Sequence, residues 1–437
     1  MIGRKGAGAL GLALAALLSA GPAMAQTATP TVPADAATIR SIRAQPAYRA
    51  AVAALEREHD EWVETIVRLT EIPAPPFKES RRAQAYAGMF RAAGLTDVEI
   101  DDAGNVLGLR RGTAAPGGKV VIMAAHLDTV FPEGTPIKVR REGTRLHAPG
   151  VGDDSTGLAT QLSLIKAMAA ARVATPMDIL FVGDVGEEGL GDLRGVRHLF
   201  GKGKYKGRAA AFFSLDGAAE DGFTIGGVGS KRYRLTFTGP GGHSYGAFGL
   251  VNPMGALAGA ITGLYGIPVP ANPKTTYSGS VVSGGTSVNA IPREVTLEVD
   301  MRSESATELA RLERNFIAIV DRSVAAENAA RSVKEGAVKV EKTSVGDRPA
   351  GATPAKAPLV RLAVAAYQAE GISPKLTASS TDSNVPMGLS IPAITISRAA
   401  AGDRGHSTDE WIDTERTASQ KVKRLNLLIL LAAAGMR

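Results

Sequence analysis

Three short, uninterrupted apolar runs, at residues 119–125, 178–183 and 210–215, leave this chain the fewest choices of fold. A strand that is apolar at every position, instead of at alternate ones, is buried on both faces, and such strands occur where helices cover both sides of a parallel sheet. Residues 156–171, Ala-rich and free of Pro, lie between the first two runs and read as their connecting helix. Strand, helix, strand in that order is the grammar of a largely parallel α/β sheet with flanking helices.

Upstream, residues 46–70 carry helical periodicity until Pro73, Pro75 and Pro76 open a loop. Residues 81–93 read as a second helix ending at Gly94, and 98–100 and 106–110 as short strands. The pattern changes near Gly229: strand 231–238, helix 252–263, strands 277–283 and 294–302, helix 305–330 and strand 338–344 follow in turn. That order, β-α-β-β-α-β, is the split arrangement of a ferredoxin-like domain. The first pattern then resumes with a helix at 358–370, a strand at 393–397 and a last helix at 414–434. A chain of 437 residues exceeds one ordinary core. The expectation is a main domain of residues 46–228 and 347–437, interrupted by a ferredoxin-like insert at 229–346.

Arg4 and Lys5 precede an uncharged stretch to Ala20, and Ala23-Met24-Ala25 completes a signal-peptide pattern with a cut after Ala25. The apolar stretch is shorter than the roughly 20 residues a bilayer span requires. Export to the periplasm or medium is expected, with residues 26–45 as a flexible segment and no membrane anchor after cleavage. The absence of cysteine excludes disulfides, thiolate metal sites and cysteine nucleophiles, so any metal rests on nitrogen and oxygen. The formal charge of +7 includes no dense basic run, which argues against a nucleic-acid partner.

Acids and imidazoles collect where the apolar runs end. His126 closes the first run, with Asp128 two residues on and able to hold its far ring nitrogen. Asp153-Asp154 stands just before the helix at 156–171, a place where an acid also serves as an ordinary N-cap. Glu187-Glu188 follows the second run, and adjacent acids repel unless a cation or a shared proton relieves them. Asp216 follows the third run, and His406 arrives late in Gly405-His406-Ser407. His59, His147 and His198 have no such company and read as structural.

Taken in order with Gly241-Gly242-His243-Ser244 and Gly284-Gly285-Thr286-x-x-Asn289-x-Ile291-Pro292, these motifs resemble the co-catalytic zinc peptidase family that includes carboxypeptidase G, peptidase T, aminoacylase and succinyl-diaminopimelate desuccinylase. The resemblance runs from about residue 45 to residue 435. It implies a zinc exopeptidase-like fold whose insert serves as lid and dimerisation domain. It also implies two zinc ions per subunit, or manganese or cobalt, one on His126 and Asp216, the other on Glu188 and His406, with Asp153 bridging and a cis peptide between Asp153 and Asp154. In such a centre Glu187 is the general base for a metal-bound hydroxide, Asp128 orients His126, and His243 stabilises the oxyanion from the same or a partner subunit. Asn289, Arg302, Arg348 and Asp382 are the candidates for gripping substrate, the arginines through its carboxylate.

The activity implied is cleavage of a small peptide by a peptidase T-like exopeptidase, with an N-acyl amino acid deacylase or desuccinylase as the alternative. A rival reading rests on Gly242-His243-Ser244-Tyr245-Gly246, which matches a serine-hydrolase elbow with Asp382 and His406 downstream. It leaves Asp153, Glu187, Glu188 and Asp216 unexplained.

Overall fold

The structure is a computed structural model that describes residues 32–437; the expected signal peptide, its cut site and residues 26–31 lie outside the described residues. The main sheet is built from β1 (Thr96–Ile100), β2 (Val106–Arg110), β3 (Val120–His126), β4 (Asp178–Asp184), β5 (Ala209–Gly217) and β6 (Gly222–Gly227). The later strands β11 (Lys375–Ser379) and β12 (Ala393–Ser397) and a two-residue edge strand, Gly351–Ala352, complete it. Its order is β1-β2-β4-β3-β5-β12-β6 and then Gly351–Ala352, with β11 also on β6. The centre, β4-β3-β5-β12, is parallel throughout, and β3 and β4 are buried at every position. β1, β2 and the single contact of β12 with β6 are antiparallel.

Helices α1 (Pro33–Ala44), α2 (Pro46–Arg57), α3 (His59–Thr70), α4 (Ser80–Ala92), α5 (Ser155–Ala170) and α6 (Arg194–Gly201) come before the smaller sheet. Asp154 caps α5 by accepting from Gly157 N at 3.2 Å, and α5 is buried on nearly all sides, as a helix crossing a core must be. Two expectations change here. Residues 33–44 are not a flexible tail: Ile39 and Ile42 are buried, Arg361 donates to Asp35 at 2.8 Å and Arg43 pairs with Glu370 at 3.5 Å, so one apolar edge and two ion pairs dock a stretch that reads as polar. The single helix at 46–70 is two, broken at Glu58, whose carboxylate turns inward to Lys166 at 3.0 Å and Ser163 at 3.3 Å.

The smaller sheet comprises β7 (Gly229–Thr238), β8 (Thr275–Gly284), β9 (Glu294–Ser303) and β10 (Lys339–Arg348), in the antiparallel order β8-β9-β7-β10. Helices α7 (Pro253–Tyr265) and α8 (Ala306–Ala330) supply a separate core with it, including Phe237, Leu257, Leu297 and Phe316. Burial alternates along β9, so one face meets the helices and the other presents Glu298, Asp300 and Arg302. Helices α9 (Pro358–Ala369), α10 (Asn384–Gly388) and α11 (Arg416–Ala433) return the chain to the main sheet. Among the described residues no helix is long and apolar enough to cross a membrane.

Candidate active site

Four neighbouring strands of the parallel centre end on one rim. β3 ends in His126, β4 leads through Gly186 (φ 70°) to Glu187 and Glu188, β5 carries Asp216 near its end, and β12 runs into Arg398. Gly186 takes the left-handed turn that swings the two glutamates back over the rim, a conformation that costs glycine little. The remaining imidazole comes from a small sheet in which Ala401–Asp403, Trp411–Asp413 and Arg145–His147 pair in succession. That sheet sets the loop bearing His406 beside residues 150–153.

The side chains converge. His126 Nε2 lies 2.9 Å from Asp153 Oδ1, His406 Nε2 lies 3.3 Å from Asp153 Oδ2, and His406 Nε2 lies 2.9 Å from Glu188 Oε1. Asp153 therefore has one oxygen on each side of the centre. Three groups hold their donor atoms within 4.8 Å of one another: His126, Asp153 and Asp216; Asp153, Glu188 and His406; and His126, Glu187 and Glu188. The Asp153–Asp154 peptide is cis. All five side chains named as metal ligands thus meet, and nitrogen and carboxylate donors in this number suit zinc-like divalent ions.

Charge gives an independent test of fit. Burial, and then the neighbouring Asp153 charge, push the Asp216 carboxyl well above its usual range. Burial opposes ionisation of Asp153 as well, but bonds to His126 and His406 and the charge of Arg398 hold its carboxyl well below the usual range. Hydrogen bonds to Asp153 and Glu188 raise His406 to about 10. The acids outnumber the fixed cations that face them, a deficit that divalent ions would fill.

Supporting residues differ in part from expectation. His126 Nδ1 lies 3.0 Å from the main-chain oxygen of Asp128, which fixes the ring, while the Asp128 carboxylate stands 3.7 Å away. That carboxylate instead accepts from Glu187 N at 3.1 Å and Glu188 N at 2.9 Å, so it shapes the glutamate turn. Asp154 is a strut, accepting from His126 N at 3.1 Å as well as capping α5.

Arg348 is committed to the site and not left free for a substrate carboxylate. Its Nη1 donates to Glu187 Oε1 at 2.8 Å and to Ser380 Oγ at 3.0 Å, and its Nη2 donates to the Glu187 carbonyl. Burial pushes the Glu187 carboxyl up to about 8, with Arg348 opposing and Glu188 adding to the shift. Asp382 is fully buried and faces Asp184, not the cavity, because the turn before α10 points it beneath the rim. Neither carboxylate has another hydrogen-bond partner among the described residues.

The cavity over the rim has a volume of about 730 Å3 and is closed on its far side by the open face of the smaller sheet. Arg302 lines it, held to Asp300 at 2.6 Å, and Arg232 shares the same aspartate at 3.0 Å. His243 and Asn289 do not line it: both are exposed, on a short ribbon pairing Gly242–His243 with Ala290–Ile291. Nδ1 of His243 accepts from Tyr245 N and Gly246 N at 3.3 Å each, which leaves Nε2 as the donor. The serine-hydrolase reading fails on the same ribbon. α7 begins only at Pro253, Asp382 is turned toward Asp184, and His406 is taken up by Asp153 and Glu188.

Two residues without an assigned part enter the site. Glu410, 2% exposed, accepts from the backbone N–H groups of Gly150 and Gly152 at 2.8 Å and of Asp153 at 2.9 Å. A side chain on Gly152 would put its Cβ 2.8 Å from the Glu410 carboxylate, so glycine is what lets it approach. Arg398 reaches Asp216 and Asp153 at 3.4 and 3.6 Å. The sequence signal for Arg398 was its place directly after a buried strand, where the other rim residues also sit; Glu410 carried no such mark.

A mostly parallel sheet whose strand ends gather imidazoles and carboxylates around shared oxygens defines a metal-dependent hydrolase of α/β build. The family matches agree, and the chain belongs to Peptidase family M20/M25/M40, whose sequence profile matches residues 122–430. Carboxypeptidase G2 of Pseudomonas sp. (strain RS-16) is 26% identical over 233 residues, a stretch spanning 50% of this chain and about half, 54%, of that relative. The fold is shared with the aminopeptidase PepT of Bacillus cereus ATCC 10987 (TM-score 0.68, 20% identity, 86% of this chain and 99% of that one). It is shared too with a dinuclear metal-binding peptidase of Bacillus subtilis (TM-score 0.59, 17% identity, 85% and 98%).

Proposed function

We propose that this chain is an exported dinuclear zinc hydrolase that cleaves the peptide bond of small peptides as an exopeptidase. The observation that carries the reading is Asp153, whose two oxygens face two separate imidazole–carboxylate groups. His126, Asp153 and Asp216 would hold one ion, and Asp153, Glu188 and His406 the other. Such ions supply Lewis-acid polarisation of the scissile carbonyl and acidify the attacking water.

The protein's own groups do the rest. Glu187, oriented by Arg348 and raised toward neutral pH, takes a proton from the attacking water and returns it to the leaving amine. Arg302, which lines the cavity from the facing sheet, would meet a substrate carboxylate. His243 donates through Nε2 to the oxyanion only if the smaller unit closes over the rim or a second subunit brings it there, which makes a dimer part of the proposal. The cavity volume suits a di- or tripeptide, and the relative named carboxypeptidase G2 is in keeping with a peptide substrate.

The test is a screen of di- and tripeptides beside N-acetyl and N-succinyl amino acids, before and after chelation and after return of Zn2+. Peptide hydrolysis that is lost on chelation and restored by zinc is expected. Activity confined to N-acyl or N-succinyl substrates would replace the peptidase reading by the deacylase one, and activity indifferent to chelators would end both. Secretion is checked by N-terminal sequencing of the mature protein, which should begin at Gln26.

A further inference from the structure

The guanidinium of Arg398 stands inside the candidate metal centre. Its backbone is pinned on both sides: Arg398 N donates to Gly217 O at 2.9 Å, and its carbonyl accepts from Thr160 Oγ1 at 2.7 Å. The pairing of Ser397 with Gly217 sets it alongside Asp216 at the adjacent strand end. From there Nη1 comes within 3.4 Å of Asp216 Oδ1 and 3.6 Å of Asp153 Oδ1. The latter oxygen is the one that faces His126 Nε2 at 2.9 Å. At 13% side-chain exposure the charge is not carried off into solvent.

The other half of the centre is built differently. Asp153 Oδ2 and Glu188 Oε1 both face His406, and among the described residues no arginine pairs with Glu188. Arg348 is turned to Glu187 and Ser380. A fixed cation beside two carboxylates partly neutralises them before any ion arrives and repels the ion that does arrive. In the metal-binding form, with Asp216 ionised, the imidazoles neutral and Glu187 met by Arg348, the carboxylates of Asp153, Glu188 and Asp216 carry three negative charges, and Arg398 reduces this to two. One divalent ion then balances the centre.

Resting on the dinuclear reading above, we propose that Arg398 makes the two metal positions unequal. The Asp153–Glu188–His406 position fills first and tightly; the His126–Asp153–Asp216 position takes its ion later, weakly and reversibly, because a guanidinium shares its carboxylates. Occupancy of the second position then follows the ambient concentration of divalent ions.

The experiment is a titration of the metal-stripped full chain with Zn2+ against a chelating indicator, without substrate. Wild type should bind in two phases separated by at least about tenfold. Asp216→Asn should remove the weaker phase and Glu188→Gln the tighter. Arg398→Met should tighten the weaker phase by about tenfold or more and leave the tighter within about threefold, whereas Arg398→Lys, which keeps the charge, should preserve the separation. Equal phases in wild type, loss of the tight phase in Asp216→Asn, or an unmoved weak phase in Arg398→Met each overturns the proposal while leaving a two-ion centre standing. Failure of wild type to bind Zn2+ overturns the dinuclear reading and this inference with it. Should Arg398→Met not fold, Arg398→Gln, which removes the charge but keeps hydrogen-bonding groups, takes its place with the same expected tightening of the weaker phase.

Discussion

Lys423 lies on α11 with its ammonium fully buried, 4.3 Å from the centroid of the Trp62 ring and without a hydrogen-bond partner among the described residues. Burial lowers its pKa from 10.5 to about 7, with Glu58 opposing the shift and Arg416 adding to it. A shift of that size corresponds to about 4 to 5 kcal/mol of lost stability, and at pH 7 about 4 of these are already in force. The sign follows from proton counts: between pH 7 and 10.5 the unfolded chain binds a proton that the folded one does not, so stability rises with pH across that window.

Lys423→Met removes the charge, keeps the length and puts a thioether against Trp62. At pH 7 the variant should therefore be more stable by up to about 4 kcal/mol, and the advantage should shrink by about 1.4 kcal/mol for each unit toward pH 10. Denaturant unfolding of both proteins at pH 7, 8 and 9, with zinc held constant, measures it. An advantage that stays flat across those three values, or a variant less stable than wild type at pH 7, would refute the account of Lys423 as an uncompensated buried cation.

Three further outcomes are expected. Glu187→Gln should lose turnover by about 10² to 10⁴ and keep its zinc affinity, since Glu187 is held by Arg348 and belongs to neither ligand set; metal analysis beside steady-state kinetics checks both. Glu410→Gln presents an amide to three backbone N–H groups and should weaken zinc binding by about 10- to 100-fold at unchanged circular dichroism, because Asp153 belongs to both positions. Burial raises Asp184 from 3.8 to about 7, so the folded state holds a proton that the unfolded chain releases, and stability falls as pH rises through that window. Asp184→Asn should gain on wild type by roughly 1.4 kcal/mol per unit from pH 4 to 7 in unfolding titrations, and a gain that does not grow with pH would count against that protonated carboxyl.

Much of the centre was readable because it obeys a local rule. A fully apolar run must be a covered strand, its carboxyl end must lie on the rim, and His126, Glu187, Glu188 and Asp216 each stand at or just past such an end. Asp382 and Arg348 show where that logic stops. Asp382 lies in a turn and Arg348 at the last position of β10, and neither position says which partner its side chain will meet. Asp382 turns inward to Asp184, and Arg348 turns to Glu187. The docking of residues 33–44 was hidden for a related reason: Ile39 and Ile42 have value only against a partner surface supplied by distant helices.

By itself the chain's order of residues determined the strands, their common rim and the kinds of donor gathered there, since periodicity and the chemistry of each side chain are local properties. How the donors divide, with Asp153 between both imidazoles, followed from the family resemblance and not from any local rule. Tertiary structure alone decided that Glu410 grips the backbone beneath Asp153 and that Arg398 stands on one side and not the other. Those relations join segments up to 260 residues apart, and the electrostatic balance among them depends on distances and burial that exist only once the strands are packed.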